Sequence, residues 1–371
     1  MSTGNALQEA LAHCIKERLT FVVFRVPEGP VTLWAQQTPY VDRVESGLWW
    51  EMNDVFLLSP FHPTERKALI RSDVELTFGD AEPGWHRLLE CIGSPAVPQP
   101  KARVAMDQAQ FERAVAEAQA LCAQGSMEKV VLSRSIRLDI GESEAPFLFT
   151  EALRERTEAC VVLMQTPEHG LWLGASPERL LAAESDTVHI DALAGTMVLD
   201  VASNDPAEWG EKERHEQRLV TKTIAGTLID LGAGTIVIDG PEVIRTGSIA
   251  HLRTRISANV EGRSVEELVN ALHPTPAICG LPKEAALNAI DGMEADAREL
   301  YAGFWGPWSA DGRMELFVNI RCMRMFQDHA ELHVGAGITA GSVPAREWEE
   351  TEHKADSWRH LLRTATTTRN A

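Results

Sequence analysis

Apolar residues recurring every three or four positions mark a helix after residue 105. Phe111, Val115, Ala118 and Cys122 share a face, Asp107 stands as N-cap with Gln110 three residues on, and Gly125 ends the run. The Val-, Leu- and Ile-rich run at 129–138 then predicts a strand. Further strands are expected at 160–166, 171–174, 235–238, 253–260, 314–323 and 331–334, with helices near 208–231, 283–291 and 344–363. Strands outnumber helices, and several adjoin as hairpins, which excludes a purely parallel doubly wound sheet. The expected class is α/β in the α+β sense: large, mostly antiparallel sheets with helices packed outside.

One stretch reads as a linker, 93–100, with three prolines in eight residues. It separates residues 1–95, which carry no motif, from a core at 100–363 that is followed by a tail at 364–371. At ~150 residues per domain, 371 residues allow two or three units or one large one. With 44% apolar and 24% charged residues, the chain is neither disordered nor fibrous.

Charge changes the picture more. Thirty-five basic residues against 54 acidic ones leave a net −19, a surface that repels phosphate backbones and anionic lipid, so neither nucleic acid nor membrane is an expected partner. An anionic substrate would have to be captured by a few local cations or a metal. The six cysteines form no C-x-x-C pair and read as buried residues in a reducing compartment. Glu9, Lys16, Glu17 and Arg18 interrupt any signal-peptide core, and no run approaches ~18 apolar residues, so a cytoplasmic location is expected.

Two pairs of carboxylates carry the strongest chemical signal. Glu213 and Glu216 share one face of their predicted helix, as do Glu347, Glu350 and Lys354 of the last one. Like charges at that spacing give the helix nothing, whereas oxygens converging from two helices suit a hard cation such as Mg²⁺; a solvated acidic face is the plain alternative. Glu178 follows an apolar strand and a Pro turn, where a raised pKa would make it a general acid, or where it would serve as a helix N-terminal charge. Lys129 opens an apolar strand, either as a desolvated base or as an edge-protecting lysine. Arg321 falls mid-strand on the face of Phe317 and Asn319, where it needs a carboxylate. Gly335-Ala-Gly337 closes a strand and frees backbone amides for an anion, and His251 and His273 read as structural histidines.

Taken in order, Lys129-Val-Val-Leu-Ser-Arg, Gly174-Ala-Ser-Pro-Glu-Arg-Leu, Leu193-Ala-Gly-Thr196, Glu211-Lys-Glu-Arg-His-Glu216, His273-Pro-Thr-Pro-Ala-Ile-Cys-Gly280, Tyr301-Ala-Gly-Phe-Trp-Gly306 and Glu347-Trp-Glu-Glu-Thr-Glu-His-Lys354 resemble the chorismate-utilising enzymes. The resemblance spans residues 105–360, implies that residues 1–95 are a shorter, divergent N-terminal part of the same fold, and is strongest to the isochorismate synthases of that family. It implies the two-sheet antiparallel fold, chorismate as substrate and Mg²⁺ as cofactor. By motif position, Lys129 is implied as the base that activates water for attack at C2, and Glu178 as the acid that protonates the departing C4 hydroxyl. Glu216 and Glu350 are implied as direct Mg²⁺ ligands, with Glu213 and Glu347 acting through water. Arg321, Lys354 and the Gly337 amide are implied to hold the enolpyruvyl carboxylate, and Gly195, Thr196, His251 and Ala277 to line the ring.

Lysine at 129, where ammonia-using anthranilate synthases resemble this chain less because they carry glutamine, implies a water nucleophile and no amidotransferase subunit. Ala277, where salicylate synthases tend to have threonine, leans toward isochorismate as the final product. Salicylate synthesis with pyruvate release, or chorismate binding without turnover, remain the alternatives. Menaquinone and siderophore pathways are equally open, and a monomer is expected. Gln217 departs from the histidine common in the family and puts the surroundings of the neighbouring Glu216 in question.

Overall fold

The structure is a computed structural model that describes residues 3–44, 54–79, 84–95, 105–199, 202–246, 249–309 and 311–369. Elements are numbered in chain order. From edge to edge the first nine-stranded sheet runs β14 (Gly280–Leu281), β7 (Lys129–Leu138), β18 (Ala330–Ile338), β17 (Cys322–Met325), β9 (Gly170–Ser176), β8 (Cys160–Thr166), β1 (Phe21–Arg25), β2 (Val31–Ala35) and β6 (Val74–Phe78). The second, also of nine, runs β12 (Ile236–Thr246), β13 (Ile249–Asn259), β11 (Thr187–Val198), β10 (Arg179–Glu184), β16 (Met314–Val318), β15 (Phe304–Trp308), β4 (Val55–Ser59), β5 (Lys67–Arg71) and β3 (Asp42–Val44). The described pairings are antiparallel, as the hairpin-rich pattern predicts.

The first sheet is covered on both faces. Along β1, Val22 and Phe24 join the core shared by the two sheets, while Phe21 and Val23 join a second core beneath α1 (Thr3–Lys16), α3 (Ala145–Glu155) and α7 (Pro344–Arg369). In β8, Cys160, Val162 and Met164 face one way and Val161 and Leu163 the other. Two buried faces make the strand sequence continuously apolar and erase the alternation that usually betrays a strand. The predicted helix at 107–125 forms as α2 (Gln108–Ala123), with the Asp107–Gln110 capping box made and Phe111, Val115, Ala118 and Cys122 buried. α4 (Glu211–Asp230) lies against β11 and β13, α5 (Val265–Leu272) against α4 and β10, and α6 (Lys283–Met293) against β7.

Several expectations are corrected. The strand predicted at 314–323 is two strands in different sheets, β16 and β17, because the chain crosses between layers at 319–321. The strand predicted to end at Val334 continues to Ile338, so Gly335 and Gly337 lie within a strand rather than closing it. The helix predicted to stop at 363 runs to Arg369, through most of the supposed tail. Residues before 95 supply six strands, three to each sheet. Residues 96–100 of the expected linker lie outside the described residues.

Candidate active site

Two crossovers between the sheets build one end of a cleft. The chain leaves the first sheet at the end of β9 and enters the second at β10, and Glu178 lies in that two-residue passage. It returns from β16 to β17 through Arg321, whose φ of 53° turns the backbone sharply. The crossovers run side by side: the Ala175 amide donates to the Arg321 carbonyl at 3.1 Å, and the Val318 amide to the Glu178 carbonyl at 3.0 Å. Glu178 is therefore on no helix, and the expectation of a helix N-terminal charge fails. Arg321 is not mid-strand either.

Glu178 is 3% exposed, and burial, with the nearby Asp191 charge adding to it, pushes its carboxyl up to about 8 despite Lys129 and Lys354. At neutral pH it is a carboxylic acid rather than a carboxylate. Arg321 is also buried, which lowers its guanidinium to about 10. Its terminal nitrogen donates to His251 Nε2 at 3.0 Å. Arginine only donates, so His251 accepts at Nε2 and carries its proton on Nδ1, which donates to Thr196 Oγ1 at 3.1 Å. Burial and the Arg321 charge hold His251 neutral, well below its ordinary pKa.

Thr196 reaches this network through a bulge. The β11–β13 register shifts between Ala194 and Thr196, and Gly195 takes φ 68° there. A Cβ at Gly195 would meet the Glu213 carbonyl at 2.9 Å, so glycine lets α4 come close to the bulge. Gln217 secures the contact: its side chain accepts from the Ala194 amide at 2.8 Å and donates to the Ala192 carbonyl and Thr254 Oγ1, both at 2.9 Å. The departure from histidine thus leaves a fully hydrogen-bonded amide beside Glu216.

The opposite wall comes from β7, β18, α4 and α7. Pairing of β17 with β18 ends at Met323 and Leu332, because the chain turns away at Arg321; Gly335 and Gly337 are beyond that register. The Val131 amide is engaged by the Cys279 carbonyl, so its pair with Gly337 is a non-hydrogen-bonded one and the Gly337 amide points away from β7. A Cβ there would meet Glu216 Oε1 at 2.7 Å and Lys129 Cε at 2.9 Å, so a larger residue would displace this ion pair. Lys129 is fully buried, not an edge lysine, and its Nζ lies 2.6 Å from Glu216 Oε1. Burial is the largest influence and raises the Glu216 carboxyl, but Lys129, with Lys212 and Lys354, together outweigh it and hold the group below the ordinary range.

Lysines meet two more of the predicted carboxylates. Lys354 Nζ lies 2.7 Å from Glu350 Oε1 and donates to the Gly335 carbonyl at 2.6 Å; Lys212 Nζ lies 2.8 Å from Glu347 Oε1. Glu347 is 1% exposed and raised by burial and by Glu350.

The cleft is lined by Glu178, Gly195, Thr196, Glu216, His251, Ala277, Arg321, Gly337, Glu350 and Lys354, all predicted from sequence, whereas Lys129, Glu213 and Glu347 lie just behind its walls. His273 lies elsewhere, bonded to the Phe61 carbonyl, as a structural histidine. Residues 89–363 match the chorismate binding enzyme family. The chain belongs to that family.

Over 253 residues it is 33% identical to isochorismate synthase EntC of Escherichia coli, a match covering 66% of this chain and 65% of the relative, just under two thirds of its length. It is 34% identical to isochorismate synthase DhbC of Bacillus subtilis over 275 residues, 68% of this chain and 67% of that one. The structure of MenF, the menaquinone-specific isochorismate synthase of E. coli, superposes with a TM-score of 0.76 at 23% identity, covering 95% of this chain and 91% of the other; that likeness shows the fold.

The acidic helices of this family member offer the oxygen donors a hard divalent cation prefers, and the Glu347 carboxylate is buried between Lys212 and the Ser342 hydroxyl. The donor set fits Mg²⁺ in kind. Among the described residues no three acidic, histidine or cysteine side chains stand together as a ready-made metal cage, because the lysines hold Glu216, Glu347 and Glu350 instead. Sequence reading gave no role to Tyr301 or His333, which also line the cleft and stack at 5.2 Å, with His333 backed by Trp172 at 5.3 Å. One signal was present: Tyr301 is one of only two tyrosines in the chain, and it opens a family motif.

Proposed function

We propose that the chain is an isochorismate synthase, converting chorismate to isochorismate with Mg²⁺. Water forms the new C2–O bond as the C4–O bond breaks and the ring double bonds shift, so the water consumed is balanced by the hydroxyl that leaves as water. The observation that carries this reading is the pair of opposite charge states in one cleft: Glu178 is held neutral while the neighbouring Glu216 is held charged by Lys129.

A neutral Glu178 has the proton that a departing hydroxide needs, and its place at a backbone crossover fixes where that proton is delivered. Lys129, steered by Glu216 and boxed in beneath Gly337, acts as the base toward water in its neutral amine form, so the ammonium paired with Glu216 gives up its proton before water is attacked. Arg321, Lys354 and the Gly337 amide bind the enolpyruvyl carboxylate, and Gly195, Thr196, His251 and Ala277 shape the ring pocket. His251, neutral and already bonded to Arg321 and Thr196, orients both of them and takes no proton itself. Glu216 and Glu350 would hold Mg²⁺ directly and Glu213 and Glu347 through water; the ion supplies positive charge for the ring carboxylate, which a −19 chain otherwise repels.

Chromatography of a chorismate incubation with Mg²⁺ tests the reading. Isochorismate without pyruvate is expected; salicylate with pyruvate in equal amount would replace it with a salicylate synthase, and unchanged chorismate would reject both.

A further inference from the structure

Lys129 and Lys354 have parts in the proposed reaction, but the third lysine of the acidic cluster, Lys212, has none. It lies in the first turn of α4, and its contact with Glu347 is lopsided: the lysine side chain is 40% exposed, whereas the glutamate side chain is 1% exposed. A partly hydrated cation thus reaches inward to neutralise a carboxylate that water does not reach. The Ser342 hydroxyl is the other group that meets that carboxylate, and Glu350 stands one turn further along α7 with the same charge. The contact also joins layers, because α4 lies on β11 and β13 of the second sheet, while α7 lies on β18 of the first.

We propose that Lys212 is the resident counter-ion of the α7 acidic pair, tying α4 to α7 in the metal-free protein and yielding to solvent when a divalent cation takes the carboxylates. The inference rests on reading the four glutamates as a cation site. Of the three lysines Lys212 is the exchangeable one on physical grounds. Lys129 is fully buried, so releasing it would strand an ammonium without water, and Lys354 is also held by the Gly335 carbonyl. Lys212 already has access to water at its outer end and rehydrates at small cost.

Calorimetric titration of MgCl₂ into the metal-free full chain tests this, with thermal melting beside it. Lys212→Met is expected to bind Mg²⁺ about fivefold more tightly than wild type, the worth of a half-exposed ion pair that no longer competes. Its metal-free melting temperature is expected to fall by at least about 2 °C, because the buried Glu347 carboxylate loses its counter-ion, with the difference narrowing at saturating Mg²⁺. Lys212→Arg, which keeps the cation, is expected to bind like wild type. Lys222→Met removes the same charge ~15 Å further along α4 and is expected to leave the affinity within about twofold.

Equal or weaker Mg²⁺ binding by Lys212→Met, with wild type still binding, would overturn the counter-ion role and leave the cation site standing. Equal tightening by Lys222→Met would overturn it too, as a general charge effect. A wild-type chain that binds no Mg²⁺, with or without chorismate, would remove the cation site and this proposal with it.

Discussion

Glu216 and Glu178 are the same residue type in the same cleft, both removed from most water, and their carboxyl groups are driven in opposite directions. Glu216, on α4, has a lysine ammonium at 2.6 Å and stays charged. Glu178, at the β9–β10 crossover, has its hydrogen bonds made by backbone atoms and Asp191 as its largest charged influence, so burial decides and the group stays protonated. Burial alone therefore does not assign a charge state; the nearest partner does. In the proposed reaction that difference separates an acid from a ligand within a single pocket.

Breaking the Lys129–Glu216 pair should have the largest effect. Lys129→Met is expected to lower turnover about 10²–10⁴-fold and, by stranding a buried carboxylate, to cost roughly 3–5 kcal/mol of stability in chemical denaturation. Adding Glu216→Gln should restore most of that stability without restoring turnover, since the double variant has no unpaired charge. A double variant no more stable than the single would show that the pair is not what holds Glu216.

Glu178→Gln should leave the fold intact and reduce kcat about 10²-fold or more. The sign of its pH dependence follows from the raised carboxyl. The folded state keeps a proton that the unfolded state loses near its ordinary 4.5, so stability is fully present below that value and drains away as pH rises toward about 8. Wild-type melting temperature should fall over that window relative to Glu178→Gln, and wild-type turnover should decline above about pH 8. Parallel melting curves for the two proteins would place the Glu178 proton elsewhere.

The smallest expected effect sharpens the comparison from outside it. Gln217→Ala removes three hydrogen bonds beside Glu216 but neither charge, and should cost about 1–3 kcal/mol. The pH profile of turnover should not move, which a pH titration of kcat would check.

Much of this was legible in the chain. α2, with its cap, stop and buried face, is a local object whose residues lie within one helix, and β7 and β8 matched their apolar runs end to end. Of the six strands described before residue 95, β1 and β4 were not legible because they are buried along nearly their whole length and pair with β8 and β15 far along the chain, whereas β6 does alternate buried and exposed positions and was missed. Arg321 was misplaced for a related reason: 314–323 is uniformly strand-like in residue type, and nothing local says that the chain changes sheets.

By itself the sequence determined which residues are candidates for the chemistry, since motif spacing selects side-chain types and helical periodicity puts Glu213 with Glu216 and Glu347 with Glu350. Only the tertiary structure decided their states. Whether Glu178 is neutral, whether Lys129 is exposed and which lysine faces which glutamate depend on distances of a few ångströms, and the Lys129–Glu216 and Lys212–Glu347 partners stand 87 and 135 positions apart in the chain. Coulomb and desolvation energies vary steeply over such distances and not at all with position along the chain.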